Sequence, residues 1–246
     1  MQLNNAGIER YEAPIVEALT ARLQPAGVLV RADSRTRREQ NLEHRVEVVH
    51  GEVPEWVPLE ENGVRFEAPV HGGQKTGWFY DQRLNRARLR NYVRGKRVLD
   101  VFSYAGAWGL QAAAAGAAEV LCVDASGAAV ERIHGNAQAN GLSDRVASVE
   151  GDAFDVLAQL RLNQKKFDVV VLDPPAFIKR KKDARAGEQA YHRLNQLAMQ
   201  VLKKDAILVS ASCSHHLPEW PRKGRHSGFH LQLQKNHLQV PCRPPA

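Results

Sequence analysis

Residues 97–124 read RVLDVFSYAGAWGLQAAAAGAAEVLCVD. A short apolar run at 97–101 enters a glycine-containing turn. An alanine-rich stretch then predicts a helix near 105–115, and a second apolar run at 120–123 ends on Asp124. The pattern repeats downstream. Helices are predicted near 126–140, 153–161 and 187–202, with short strands at 146–149, 169–172 and 207–210. Strands alternating with helices over ~110 residues predict an α/β fold with a doubly wound, mostly parallel sheet. Continuous apolar strands fit, because such a sheet is covered on both faces.

Upstream the pattern differs. Ile8, Ile15, Leu19 and Leu23 recur at roughly helical spacing and predict an amphipathic helix over 5–24, ended by Gln24-Pro25-Ala26-Gly27. Strands are predicted at 28–30, 46–49 and 64–68, with loops at Pro54 and Pro58 and a turn at Glu61-Asn62-Gly63. This is a small N-terminal α+β segment ahead of the larger sheet.

Composition excludes several classes. The 246 residues are 43% hydrophobic and 25% charged, too apolar for a disordered chain. No apolar run approaches the ~20 residues of a membrane span, so no membrane partner is expected. MQLNNAGIERYEAP lacks a charged head followed by an apolar stretch, so no signal peptide is read. Cys122, Cys213 and Cys242 are an odd set without a CxxC pair. That argues against a disulfide framework or a zinc site and for a reducing cytoplasm. The net charge of +7 is clustered. Seven basic residues and one acid fall in 81–97, five and one in 179–185, and five with no acid after Trp220. Such clusters suit a polyanion.

In doubly wound sheets ligands bind beyond the carboxyl ends of the strands. Gly106 stands in the turn after the first strand of the pattern, and Asp124 ends the second, placed to accept from both ribose hydroxyls of an adenosine. Asp152 follows the third and is placed to reach an adenine amino group; a helix cap is its other reading. Tyr104 takes one glycine position of a GxGxxG motif, which disfavours a pyrophosphate cradle and a dinucleotide oxidoreductase. Asp173-Pro174-Pro175-Ala176-Phe177 follows the fourth strand, and its prolines stiffen the loop and leave carbonyls free to accept. Cys213 follows the fifth strand and faces the same cleft. A thiolate there suits attack on C6 of a pyrimidine, which makes C5 nucleophilic. Cys122 reads as core. In GGQKTGWFYDQR the glycines, Gln74 and Lys75 suit closure over a ligand carboxylate, and Arg83, Arg86, Arg90 and Arg94 form a candidate phosphate-contact stripe.

GGQKTGWFYDQRLNR, DVFSYAGAWG, VLCVDAS, EGDAF, DPPAF and SCS together resemble the class I ribosomal RNA methyltransferases of bacteria, most of all the large-subunit rRNA cytosine-5 type. The resemblance covers about residues 28–218. It implies S-adenosyl-L-methionine as methyl donor, with Phe102, Tyr104, Gly106, Asp124, Asp152 and Asp173 around it. It implies Asp173 and Cys213 at the chemistry, with Pro174, Pro175, Phe177, Lys75 and Arg83 on the side of large-subunit ribosomal RNA. A sister branch that methylates guanine N7 lacks the cysteine, so Cys213 favours cytosine. Residues 1–70 resemble part of the family's linking domain, without the PUA-type barrel that normally precedes it, and 71–220 form the methyltransferase domain. In the family a helix and a final strand pair follow; here 221–246 read as a basic, Pro-rich tail of little periodicity. A catalytically impaired relic that keeps cofactor or RNA binding is the alternative these ends suggest. Oligomeric state is left open.

Overall fold

Val98, Leu99, Val101, Val120, Val123 and Val169–Leu172 are almost completely buried. They lie in the middle of one sheet, in the computed structural model of the chain. The structure describes residues 1–71, 77–214, 230–234 and 237–239, with the backbone alone for Arg35 and for the last two segments. The sheet is built from β5 (Arg97–Val101), β6 (Glu119–Asp124), β7 (Val146–Glu150), β8 (Phe167–Leu172) and β9 (Leu202–Ser212). Two further strands, β10 (His230–Gln234) and β11 (His237–Gln239), complete the order β11-β10-β9-β8-β5-β6-β7. Every neighbouring pair is parallel except β10 with β11. Strand order reverses between β5 and β8, which is where a doubly wound sheet opens its ligand crevice.

The crossing helices are α5 (Gly109–Ala114), α6 (Gly127–Ala139), α7 (Ala153–Leu162) and α8 (Ala184–Val201). Leu157, Leu194, Ala198 and Val201 pack with Leu99, Val101, Val170, Leu172 and Leu208 in one apolar cluster. The predicted α/β architecture is the one observed, with element ends shifted by a few residues.

The chain divides into two units, Met1–Leu59 with Glu67–Trp78, and Glu60–Phe66 with Phe79–Ala246. In the first, α1 (Ala6–Glu9) and α2 (Glu12–Leu23) precede β1 (Gly27–Ala32), α3 (Arg35–Glu39) and β2 (Arg45–Gly51), with β1 and β2 antiparallel. Its core is Leu3, Val30 and Ala32, against Met1 and Val49. Arg37 is fully buried there and is held by the carbonyls of Leu3 and Glu43 and by Glu9. β3 (Trp56–Glu61) and β4 (Val64–Pro69) form a hairpin around Asn62 and Gly63, both left-handed at φ 54° and 78°.

Three expectations are corrected. The helix predicted over 5–24 is broken at Arg10 and Tyr11, and α2 buries no residue completely. Pro14 explains the break: inside one continuous helix its ring would meet the carbonyl of Arg10, whereas in the first turn of α2 its missing N–H costs nothing. Pro58 lies inside β3, not in a loop. A two-stranded hairpin leaves one side of each strand unpaired, and proline is tolerated there. The tail read as aperiodic contains β10 and β11, and β10 runs along β9. HLQLQ at 230–234 alternates apolar and polar residues, the period of a strand. No helix among the described residues is long and apolar enough to cross a membrane.

Candidate active site

The turn after β5 is set by backbone conformation. Phe102, Tyr104 and Gly106 are all left-handed, at φ 64°, 51° and 82°. The two non-glycine residues each cost on the order of 1 kcal/mol, a strain characteristic of functional turns. A Cβ on Gly106 would lie 2.2 Å from Leu110 Cδ1 and would force that buried side chain to shift, and the left-handed φ favours glycine there whatever the space. Bonds from Ser103 N–H to Val123 O (3.0 Å) and from Asn136 Nδ2 to Ala105 O (3.0 Å) hold the turn against β6 and α6. Gly109 begins α5 against the sheet: a Cβ there would be 2.5 Å from Cys122 Sγ.

The turn in turn fixes a carboxylate. Asp124 accepts from Tyr104 N–H on Oδ2 (2.8 Å) and from Ser126 N–H on Oδ1 (3.0 Å). It is half-buried, and each oxygen keeps a further lone pair. Asp152 caps α7, accepting from Phe154 and Asp155 N–H on Oδ1 alone. Asp173 Oδ2 accepts from the buried indole of Trp108 at 3.0 Å. Beneath these lies Asp100, fully buried, with Oδ2 accepting from Gly109 N–H (2.8 Å) and Oδ1 without a hydrogen-bond partner among the described residues. Burial, and then the charges of Asp173 and Asp124, push its carboxyl up to about 7. Burial, then Asp124, also raises the Tyr104 hydroxyl. The carboxyl ends of β5, β6 and β8 therefore present an acidic floor.

Beside it stands an apolar wall. Phe177 lies 6.3 Å from Phe102 and from Phe154, and 4.7 Å from Tyr191, ring centre to ring centre. Pro174 is buried and Pro175 exposed. Cys213 Sγ lies 3.8 Å from Pro174 O, so the residue after β9 meets the loop after β8 as the sequence predicts. Cys122 is buried core, its thiol raised well above the ordinary range by burial and by Asp100 and Asp124.

The arginine stripe does not exist as predicted. Arg86 is buried and donates from Nε (2.6 Å) and Nη2 (2.9 Å) to Glu61, and to Phe79 O. Gln111 Nε2 donates at 2.7 Å to Glu61 Oε1, the oxygen that also accepts from Arg86 Nε. Arg90 donates to Asn62 O, and Arg94 lies beyond the end of α4 (Arg83–Leu89) and of the 3-10 turn Arg90–Tyr92. The pairing with Glu61 is remote in sequence and has no local signature. Arg83 is exposed, and its backbone carbonyl accepts from Asn62. Lys75 lies outside the described residues. The sequence reading assigned no role to Trp108 or Tyr191. Trp108 stands inside the quoted DVFSYAGAWG motif, a signal that was present, whereas Tyr191 is brought in only by helix packing.

A family model described as S-adenosylmethionine-dependent methyltransferase matches residues 18–214. "Ribosomal RNA large subunit methyltransferase I" of Shewanella denitrificans is 40% identical over 215 residues, which are 87% of this chain and 54% of that protein. The chain thus spans about half the length of the curated relatives it matches. Among solved structures, a candidate SAM-dependent methyltransferase from Streptococcus mutans is 26% identical, with a TM-score of 0.71 over 85% of this chain and 53% of that one. SMU.776, a candidate methyltransferase complexed with SAH, matches with the same identity, score and coverage. The match spans both the acidic floor and the Cys213 loop, and the chain belongs to the S-adenosylmethionine-dependent methyltransferase family.

Proposed function

We propose that the chain methylates C5 of a cytosine in large-subunit ribosomal RNA, with Cys213 as nucleophile. The observation that carries the reading is the 3.8 Å approach of Cys213 Sγ to Pro174 O, beside Asp173, at the carboxyl ends of β8 and β9. The relatives named for large-subunit rRNA support the substrate class.

The residues fit the cofactor. S-adenosylmethionine is cationic at its sulfonium and its ammonium, and Asp100, Asp124, Asp152 and Asp173 gather at one end of the sheet. Asp124, already oriented by two N–H donors, keeps lone pairs for the ribose hydroxyls. Asp152 would hold the adenine amino group through the oxygen its helix cap leaves free, and Phe102, Tyr104 and Gly106 form the turn that would receive the cofactor. When bound, the cofactor supplies an electrophilic methyl group. Cys213 adds as thiolate to C6, forming a carbon–sulfur bond and moving an electron pair to C5. Asp173, held by Trp108, orients the base edge, and Pro174, Pro175 and Phe177 line its plane. After C5 gains the methyl group a general base takes the C5 proton, and the electron pair left behind expels the sulfur from C6 to return the thiolate. Lys75 and Arg83 are assigned to RNA contact. The free thiols of Cys122 and Cys213 call for a reducing compartment, and the cytoplasm is the proposed location.

The test is methyl transfer to large-subunit rRNA, with the modified nucleoside identified. Wild type is expected to yield 5-methylcytidine, and Cys213→Ala to lose at least about a thousandfold in rate while still binding S-adenosylmethionine. Formation of 7-methylguanosine, or full activity in Cys213→Ala, overturns the reading.

A further inference from the structure

Tyr191 is a buried tyrosine on α8, 2% exposed. A buried phenol needs hydrogen-bond partners. What distinguishes this one is where they lie. Its Oη is 3.0 Å from Ser212 Oγ and 2.8 Å from Ser214 Oγ, the residues on either side of Cys213. It also accepts from Phe177 N–H at 3.4 Å. Ser214 Oγ accepts from Ile178 N–H at 3.1 Å, and Ser212 Oγ accepts from Ser214 N–H at 3.2 Å.

Counting protons gives the ring a direction. Tyr191 Oη accepts from Phe177 N–H and from the Ser212 hydroxyl, which fills its two lone pairs. Its single proton then goes to Ser214 Oγ. One side chain thereby ties the segment after β9 to the turn at Phe177 and Ile178, which continues from Asp173 and Pro174. Cys213 is the residue the ring encloses.

We propose that Tyr191 is the positioning residue of Cys213: its hydroxyl clamps Ser212 and Ser214 to the turn after β8 and so sets the thiol against Pro174. This rests on the nucleophile reading above. A nucleophile displaced by about 1 Å can lose on the order of a hundredfold in rate, so the clamp is worth its buried polar atoms.

The experiment is site-resolved alkylation of the apo chain with iodoacetamide, read by mass spectrometry at Cys213 and Cys122 between pH 6 and 9. Tyr191→Phe keeps the ring and removes only the hydroxyl. We expect Cys213 to be alkylated at least about fivefold faster in Tyr191→Phe, as the loop is released from Pro174, with Cys122 protected as in wild type. An unchanged Cys213 rate with Cys122 protected overturns the inference. If Cys122 also reacts, the variant has opened its core, and Ser214→Ala decides instead: faster alkylation there, reversed by the hydroxyl of Ser214→Thr, supports the clamp, and an unchanged rate ends it. In methyl transfer, Tyr191→Phe should lower kcat about tenfold or more while KM for S-adenosylmethionine stays within about twofold, a split that general destabilisation does not give. The two failures read separately. A dead Cys213→Ala beside a wild-type Tyr191→Phe removes only the clamp, whereas an active Cys213→Ala removes the nucleophile.

Discussion

The two ends of the sheet carry opposite chemistry. At the carboxyl ends stand Asp100, Asp124, Asp152 and Asp173, with backbone N–H groups and an indole as their main donors. At the amino ends stand Lys96, Arg97, Arg145, Lys165, Lys166, Lys203 and Lys204, among Glu119, Asp144, Asp168 and Asp205. Asp100 and Asp168 lie on neighbouring strands, and their carboxyls shift in opposite directions. Burial, then Asp173 and Asp124, raise Asp100. Burial alone would raise Asp168 too, but Arg97 N–H, the Lys203 ammonium at 3.0 Å and Lys96 outweigh it and lower it. The difference is between an acid buried among other acids and an acid already neutralised by its neighbours.

The sharpest way to break this comparison is Asp100→Asn. Unfolded, Asp100 titrates near 3.8, and folded at about 7. The folded state binds that proton more tightly, so this contribution to stability is complete below 3.8 and is lost as pH rises through 7. Its full span is roughly 4 kcal/mol at ~1.4 kcal/mol per pH unit. Asp100→Asn should remove that slope, gaining on wild type in urea midpoint at pH 8 relative to pH 5. Parallel curves would show that Asp100 is not raised.

Asp124→Ala comes next. Calorimetric titration with S-adenosylmethionine should show affinity at least about thirtyfold weaker, or roughly 2 kcal/mol. Undiminished binding would remove Asp124 from the ribose site. The smallest effect belongs to the other end. Asp168→Asn should cost at most about 1 kcal/mol at pH 7, because Lys203 and Asp168 are partly exposed to solvent. Asp168 is lowered on folding, so its contribution is present above pH 3.8 and fades below it. A larger loss at neutral pH would mean that the amino end also holds buried charge.

Asp124, Asp152 and Asp173 were legible in the sequence as strand-end acids; the buried Asp100 and the clamp were not. Val98–Val101 and Val169–Leu172 announce buried strands by apolar runs, and an aspartate directly after such a run must stand at a strand end. Cys213 was placed by the same reasoning, as a residue that follows β9. Tyr191 and the Glu61–Arg86 pair escaped because their partners lie 14 to 25 residues away and depend on packing. Arg86 looked like a phosphate ligand because helical spacing says which residues share a face but not what covers that face. Pro14 was passed over and Pro58 was misread. One interrupts a helix that its apolar spacing suggested was continuous, and the other is tolerated by a strand that has one partner among the described residues.

Gly109 gives the close contact between α5 and β6 a mechanical meaning. The gap between helix and strand is smaller than one carbon atom, since a Cβ would sit 2.5 Å from Cys122 Sγ. Its N–H also anchors Asp100. The start of α5 is therefore a fulcrum. One methyl group inserted at that point would press on Cys122 Sγ and on Asp100 Oδ2 together, so the carboxylate that this N–H holds would be the first to give.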